Sequence, residues 1–508
     1  MTTIFLVISS LAVFPFFSDS FWGAKYFLTL LLLPLLFFGG GKKTFFYDLK
    51  AAEIGFLIVI ASIFFENAEF FQFFRFLAPF CLYLYISRKE KDTAIKKNVI
   101  RLSALISSLA LIQQVTKFNL FNAPLPYATF GNPMYMGAWL AAALPFSADT
   151  LLSPNSSATK SPISNRFYYE SAFAFAAGFT VLLLTRSQSA YMGFGVALIY
   201  MLLRRKKISK AIIILTGGAA LSALMYFAFF KVGDSSSSSS FKRRINYYKT
   251  SFEMIKENPL IGMGAGNYRG NYVPYRLKAG LPYHPSPRWA HCDILHFLCE
   301  LGFFRTTLIF LFVLPVLFKK TPPELAPYKA GITALIFTSL TAFPFQRIST
   351  IYLFFIFAGI IVRDNSLNSV FSLRNCGNGK DEKYIAVKKA IGSVLALTAF
   401  IYAFVFAYSQ MNWKRGEKLL ESGKPSEAAV AFEKAAKGLP SDHRIWLDLG
   451  RAKYRSGDIG GSLSAYRRCL SVYFDWDICY NTAIAFKAGG NKVMAEKFMR
   501  DFQMVKYR

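Results

Sequence analysis

Thirteen apolar runs punctuate this chain, near residues 3–18, 24–40, 52–65, 72–88, 98–114, 133–152, 168–185, 188–203, 210–230, 293–318, 328–345, 349–363 and 388–408. With tilt allowed, each can cross the ~30 Å hydrocarbon core of a bilayer, the shortest (52–65) least comfortably. A helix satisfies its own backbone hydrogen bonds in lipid, so the expected fold is an all-α, polytopic helical membrane protein of about 12–13 transmembrane helices. Composition agrees: 54% of residues are hydrophobic and 17% charged, against about a quarter charged in soluble domains. The first run lacks a charged leader and a small-residue cleavage site, so it reads as a first span rather than a removed signal peptide. The six cysteines show neither metal-ligand spacing nor a disulfide framework.

The net charge of +30 should sit mostly on loops, where it orients the spans. With a cytoplasmic N-terminus, the inside loops include GGGKKTFFYDLK, SRKEKDTAIKKNVIR, LLRRKKISK and FKKTPPELAPYK, all basic, whereas SDSFWGAK, ENAEFF and FNAPLPYATFGNP outside are poor in Lys and Arg. The predicted organisation is an N-terminal membrane region (1–230), a large outer loop (231–292), a second membrane region (293–408) and an outer tail (409–508). The loop breaks the charge pattern. From Lys231 to Arg288 it carries ten Lys/Arg against three acids, and long loops translocate regardless of charge. Permission does not explain ten positive charges; an anionic ligand would.

The tail loses the apolar runs and gains a repeat of about 34 residues. Gly416, Gly423, Ala428, Phe432, Ala435 and Pro440 occupy small and aromatic positions, Trp446, Leu449, Gly450, Gly457, Tyr466 and Cys469 recur in phase, and Ala483, Gly490 and Ala495 form a weaker third copy. The spacing predicts a tetratricopeptide α-solenoid, which binds a protein partner along a concave face or stacks as scaffold. Cys469 and Cys479 fall where adjacent repeats could bring them together.

Within the loop, Ile245, Tyr248, Phe252 and Ile255 have near-helical spacing for a surface helix, which Asn258-Pro259 then breaks. Gly262, Gly264 and Gly266 suit positive φ or close approach of a ligand to the backbone. The run Ser235–Ser240 reads as a flexible hinge. Gly131-Asn132-Pro133 reads as a turn feeding a span. His291 stands where the chain re-enters the membrane, and a half-dry imidazole there suits a general base; equally, it could only cap or pack the helix start. Asp293, two residues on, is not an obvious orienter. Arg186, at the outer hairpin between two spans, by itself reads as an interfacial snorkelling arginine.

The segments GNPMYMGAWLAAALP, LLLTRSQSAYMG, RINYYK…MIKENPLIGMGAGNY and AHCDILHFLCELG, in that order, resemble the O-antigen ligase family across roughly residues 100–365. Tetratricopeptide tails also occur in that family. The resemblance implies a GT-C-like membrane glycosyltransferase in the bacterial inner membrane. Such an enzyme transfers a glycan, without metal or cofactor, from an undecaprenyl-diphosphate carrier to a lipid A core, protein or glycan acceptor on the periplasmic side. Membrane lipids are the remaining partners, and no nucleic acid is expected. It places the re-entry histidine on His291 and the helix-start arginine on Arg244, with Arg243 beside it; either Arg186, two residues before Gln188, takes over the hairpin's diphosphate-holding role or the site is weakened there. Two positions depart from the family pattern. The hairpin usually reads Thr-x-Ser-Arg, but in this chain the fourth position is Gln188, and the asparagine after the histidine is Cys292. The competing readings are a transporter, which would show charged residues at mid-membrane where these spans look nearly charge-free, and a membrane-anchored scaffold, which would need no basic loop.

Overall fold

The computed structural model describes residues 1–38, 49–65, 70–88, 94–119, 123–153, 162–204, 236–283, 286–363 and 380–507. Among these, every regular element is helical. The N-terminal region comprises α1 (Thr2–Leu11), α2 (Trp22–Phe38), α3 (Ala51–Phe65), α4 (Phe70–Ser87), α5 (Ala94–Thr116), α6 (Pro133–Leu152), α7 (Pro162–Leu184) and α8 (Gln188–Arg204). The loop holds α9 (Ser236–Glu257) and α10 (Tyr268–Lys278), after which α11 (Asp293–Phe318), α12 (Ala326–Ser339) and α13 (Ile348–Arg363) complete the bundle. The protein is an all-α, polytopic membrane protein. Four described helices are long and apolar enough to cross a membrane: Ala94–Thr116, Asn165–Leu184, Asp293–Phe318 and Ala390–Glu421.

Three sequence expectations change. The first predicted span is helical only over Thr2–Leu11, about 15 Å at 1.5 Å per residue, or half a bilayer core. The serines from Ser236 on continue the backbone of α9 rather than forming a hinge, since serine is only a middling helix former and not a breaker. The spans are also less charge-free than they read, for Lys25, Glu53, Arg75, Asp149, Glu300 and Arg305 are all buried in them. These charges are accommodated by partners. Glu53 pairs with Arg88 at 3.0 Å and Asp149 with Lys96 at 2.8 Å, while Lys25 donates to the carbonyls of Ala12 and Thr129. The predicted span 210–230 lies outside the described residues.

Local chemistry explains the start of α6. Gly131 takes φ +71°, and a Cβ there would strike the Phe21 ring. Asn132 caps the helix by accepting from the Met134 amide at 2.8 Å, and Pro133 fills the first turn, where its missing N–H costs nothing.

The glycines of the outer loop serve another purpose. Gly262, Gly264 and Gly266 have φ of 75°, 89° and 85°; the protein's own backbone closes on Gly262 and Gly264, and the Gln72 side chain on Gly266. Residues 259–264 run against a break in α11 at Gly302 (φ 70°, ψ −179°). The Met263 and Gly264 amides donate to the Cys299 and Glu300 carbonyls at 2.8 and 2.9 Å, and the Phe303 amide donates to the Pro259 carbonyl at 2.7 Å. The break therefore leaves these buried groups paired.

The last membrane helix, α14 (Lys380–Glu421), runs without a linker through the expected boundary at 408 into the tail. It is followed by α15 (Pro425–Gly438), α16 (His443–Arg455), α17 (Ile459–Leu470), α18 (Trp476–Ala488) and α19 (Lys492–Tyr507). Packing explains the 34-residue period. A Cβ on Gly416 would lie 2.6 Å from the buried Phe432 ring, and one on Gly450 would strike the buried Tyr466 ring in the same way. Gly423, Gly457 and Gly490 turn the chain at positive φ between the helices of each hairpin. Cys469 and Cys479 are free thiols, buried separately.

The tail lies against the outer loop. The buried Arg276 guanidinium on α10 donates to the Val505 carbonyl at 2.6 Å, Ser286 donates to Asp475 at 2.6 Å, and Arg269 lies over the Tyr473 ring.

Candidate active site

His291 sits immediately before α11 in the left-handed region, with φ +56°. A non-glycine residue there costs about 1–2 kcal/mol and calls for a reason. The reason lies in its surroundings. The imidazole stacks on Tyr247 at 5.2 Å and meets Phe343 edge-on at 4.9 Å, while the Tyr248 hydroxyl donates to the His291 carbonyl at 3.2 Å. Its Nδ1 is buried without a hydrogen-bond partner. Burial, and then the charges of Arg244 and Arg243, push the imidazole down to about 4. The ring is thus neutral at physiological pH, with one nitrogen unengaged, which is the state a general base requires. Of the predicted residues, His291, Arg243 and Arg244 are brought together.

Arg186 keeps its place at the hairpin between two membrane helices. It is exposed on the α7–α8 turn with φ +53°, in the field of Tyr191. The turn is held against the bundle, because a Cβ on Gly137 would meet Thr185 and Thr338 donates to the Ser189 carbonyl at 3.3 Å. Gln188, the departure from the family motif, is exposed as well.

Asp293 does not touch His291, but its role is larger than the sequence suggested. Its carboxylate accepts from the Phe345 amide at 3.0 Å and from the Gln346 side chain at 2.9 Å. Arg75 completes this tie, donating to the Phe345 carbonyl, the Gln346 side chain and Gln72. Together they fix the short turn at Pro344–Gln346 and so aim Phe343 at the imidazole. His296 is occluded, under the Tyr268 ring with its Nε2 3.4 Å from Glu300. His284 lies outside the described residues.

Sequence reasoning missed the aromatic and cationic wall beside His291. Arg347, just past the Pro344–Gln346 turn, lies over Tyr135 at 3.4 Å, Trp289 at 4.2 Å and Phe343 at 5.7 Å. Arg288 lies over Trp289 at 5.0 Å and Trp22 at 5.9 Å. Two adjoining clefts open beside this wall, one lined by Met134, Tyr135, Phe343 and Arg347, the other by Trp22, Tyr135 and Arg347. The available signal was an arginine between two apolar runs, in FPFQRIS, and an Arg-Trp pair just before His291.

The fold and site define a class: a multi-pass helical membrane protein with a basic, aromatic-walled histidine site at the start of a membrane helix. Residues 173–310, which hold the α7–α8 turn, the loop and His291, match the family model described as O-antigen ligase, and this segment is assigned to that family. The match supports a membrane-embedded, glycosyltransferase-like ligase acting on lipid-linked glycan and acceptor substrates. It is narrower than the span of 100–365 that the motifs suggested. No curated protein matches the chain.

Proposed function

We propose that the protein transfers a glycan from an undecaprenyl-diphosphate carrier to an acceptor hydroxyl. The observation that carries this reading is the neutral, aromatic-walled imidazole of His291, its Nδ1 unengaged, beside two arginines. The acceptor hydroxyl gives its proton to the imidazole while its oxygen bonds to the anomeric carbon. The bond from that carbon to the carrier oxygen breaks, and the diphosphate leaves with the electron pair. Arg244 and Arg243 stabilise the charge that develops on it, since guanidinium matches phosphate oxygens bidentately and stays charged. The acceptor classes are a lipid A core, a protein hydroxyl and another glycan.

The test is an in vitro transfer assay with purified protein, lipid-linked glycan and each acceptor class in turn, run with and without a chelator. Turnover with one acceptor, unaffected by chelator, is the expected outcome. A strict divalent-metal requirement would mean that the arginines do not carry the leaving-group charge.

We read the tail as a tetratricopeptide array on the periplasmic face of a bacterial inner membrane. Its contacts with the outer loop through Arg276 and Asp475 support a shared side of the membrane for both. A reporter fused after Lys506 is therefore expected to behave as periplasmic, and cytoplasmic activity would refute the orientation.

A further inference from the structure

Burying a cation away from water is costly unless something pairs with it. The other inward cations on these faces are answered: Lys25 by two carbonyls, Arg75 by Gln72, Gln346 and Phe345, Arg276 by the Leu281 and Val505 carbonyls, and Arg444 by Asp442. Arg347, which is half-buried, and Arg288, which is exposed, have aromatic rings in that place. Among the described residues, no carboxylate lies within ion-pair distance of either; Arg347 shares a hydrogen bond with Tyr135, and its Nε, like those of Arg75, Arg269 and Arg276, is buried with no hydrogen-bond partner. Both are held instead on aromatic faces, and they share Trp289.

That arrangement has a directional consequence. A guanidinium flanked by rings has its two faces covered, so its N–H groups can serve only a ligand lying in its own plane. Tetrahedral phosphate oxygens, approached through the planar fork, suit that geometry. The position also suits it. The Phe343 ring lies beneath Arg347 and against His291, and Trp289 is two residues from His291. Meanwhile Gln188 stands where the family's hairpin arginine would be, and Arg186 is on an exposed turn.

We propose that Arg347, with Arg288 beside it, forms a phosphate subsite of this chain. The proposal rests on the glycan-transfer reading and assigns part of the donor diphosphate's binding to Arg347, which lies outside the segment 173–310 that matches the family. Arg347 fixes the diphosphate edge-on, while Arg243 and Arg244 close on it from α9. The Asp293–Gln346–Arg75 tie holds Arg347 in register with His291, so one short turn aims both the base's aromatic wall and the anion's anchor.

The experiment measures binding to the full-length protein in nanodiscs by tryptophan fluorescence, with Trp22 and Trp289 as neighbouring reporters. Three arms are run: undecaprenyl diphosphate in neutral lipid, inorganic pyrophosphate in neutral lipid, and phosphatidylglycerol with neither. Undecaprenyl diphosphate and pyrophosphate should bind, with Arg347→Ala weakening both about tenfold or more, as expected for loss of charge-assisted hydrogen bonds. Arg347→Lys should lose severalfold, because it keeps the charge without the fork, and it stands in if the alanine variant does not yield monodisperse protein. Lys256→Ala, which removes an exposed cation of α9 paired with Glu253, should bind within about twofold of the parent, and Arg186→Ala is measured beside it. Wild-type-like binding by Arg347→Ala, loss confined to Arg186→Ala, no binding by the parent protein, or an equal Arg347-dependent signal from phosphatidylglycerol alone would each overturn the subsite. The two readings fail separately. If Arg347 is dispensable for binding while transfer still needs His291, the subsite falls and glycan transfer stands. If Arg347-dependent diphosphate binding occurs with no transfer to any acceptor, the subsite stands and transfer falls.

Discussion

His291→Ala is expected to lower glycan transfer by about 10²- to 10⁴-fold, the usual span for losing a general base, while the protein remains folded and still binds undecaprenyl diphosphate. The residue is half-buried rather than sealed in the core. Its contacts are the faces and edges of Tyr247 and Phe343, and its Nδ1 holds no structural hydrogen bond that alanine would leave broken. The pH profile provides a second readout. Burial, followed by Arg244 and Arg243, holds the imidazole at about 4 rather than 6.5. Transfer should therefore be flat from about pH 8 down to about pH 5 and fall below that as the base becomes protonated. Linkage has the same sign. Between pH 6.5 and 4 the unfolded chain takes up a proton that the folded chain refuses, so the stability this group contributes is complete above pH 6.5 and is lost as pH falls towards 4. His296→Ala, by contrast, removes a buried ring packed on Tyr268 and should show in melting temperature rather than in the pH profile of transfer. Near-normal turnover by His291→Ala would remove the histidine from the mechanism.

The second large effect is structural. Gly302→Ala is expected to destabilise the protein by about 3 kcal/mol or more, enough to deplete the monodisperse species on size-exclusion chromatography. At φ 70° and ψ −179°, Gly302 occupies a region that is essentially glycine-only, costing about 1–3 kcal/mol for any other residue. A Cβ would also stand 2.5 Å from the Gly262 nitrogen and closer still to the Leu260 carbonyl oxygen. Those are backbone atoms, already committed to the pairing of residues 259–264 with the α11 break, so they cannot rotate aside. Gly280→Ala is the control. Its φ is 63° with nothing near the added carbon, so only the conformational cost applies, about 1 kcal/mol. Equal melting of the two variants would show that the α11 break can relax and that its pairing with the loop is not tight.

Much of this protein could be read from local pattern alone. Apolar runs report burial one residue at a time, so the helical membrane bundle was visible without any knowledge of which helices touch. The 34-residue period was visible for the same reason: Gly416 and Gly450 leave room for Phe432 and Tyr466, and each pair lies within one hairpin. His291 stood out as a candidate because an imidazole at a loop-to-membrane junction is chemically conspicuous. What only the tertiary structure decided are the pairings between distant segments. Arg347 follows His291 by 56 residues and meets Tyr135, from another helix, at 3.4 Å. Gly262 and Gly264 looked suited to a ligand, but their partner is the backbone of α11. Asp293 looked idle, yet it holds the turn that carries Phe343 and Arg347. Composition and spacing register whether a residue is buried and on which face of its own element. Which charge faces which ring depends on how elements far apart in the chain pack, and no periodicity encodes that.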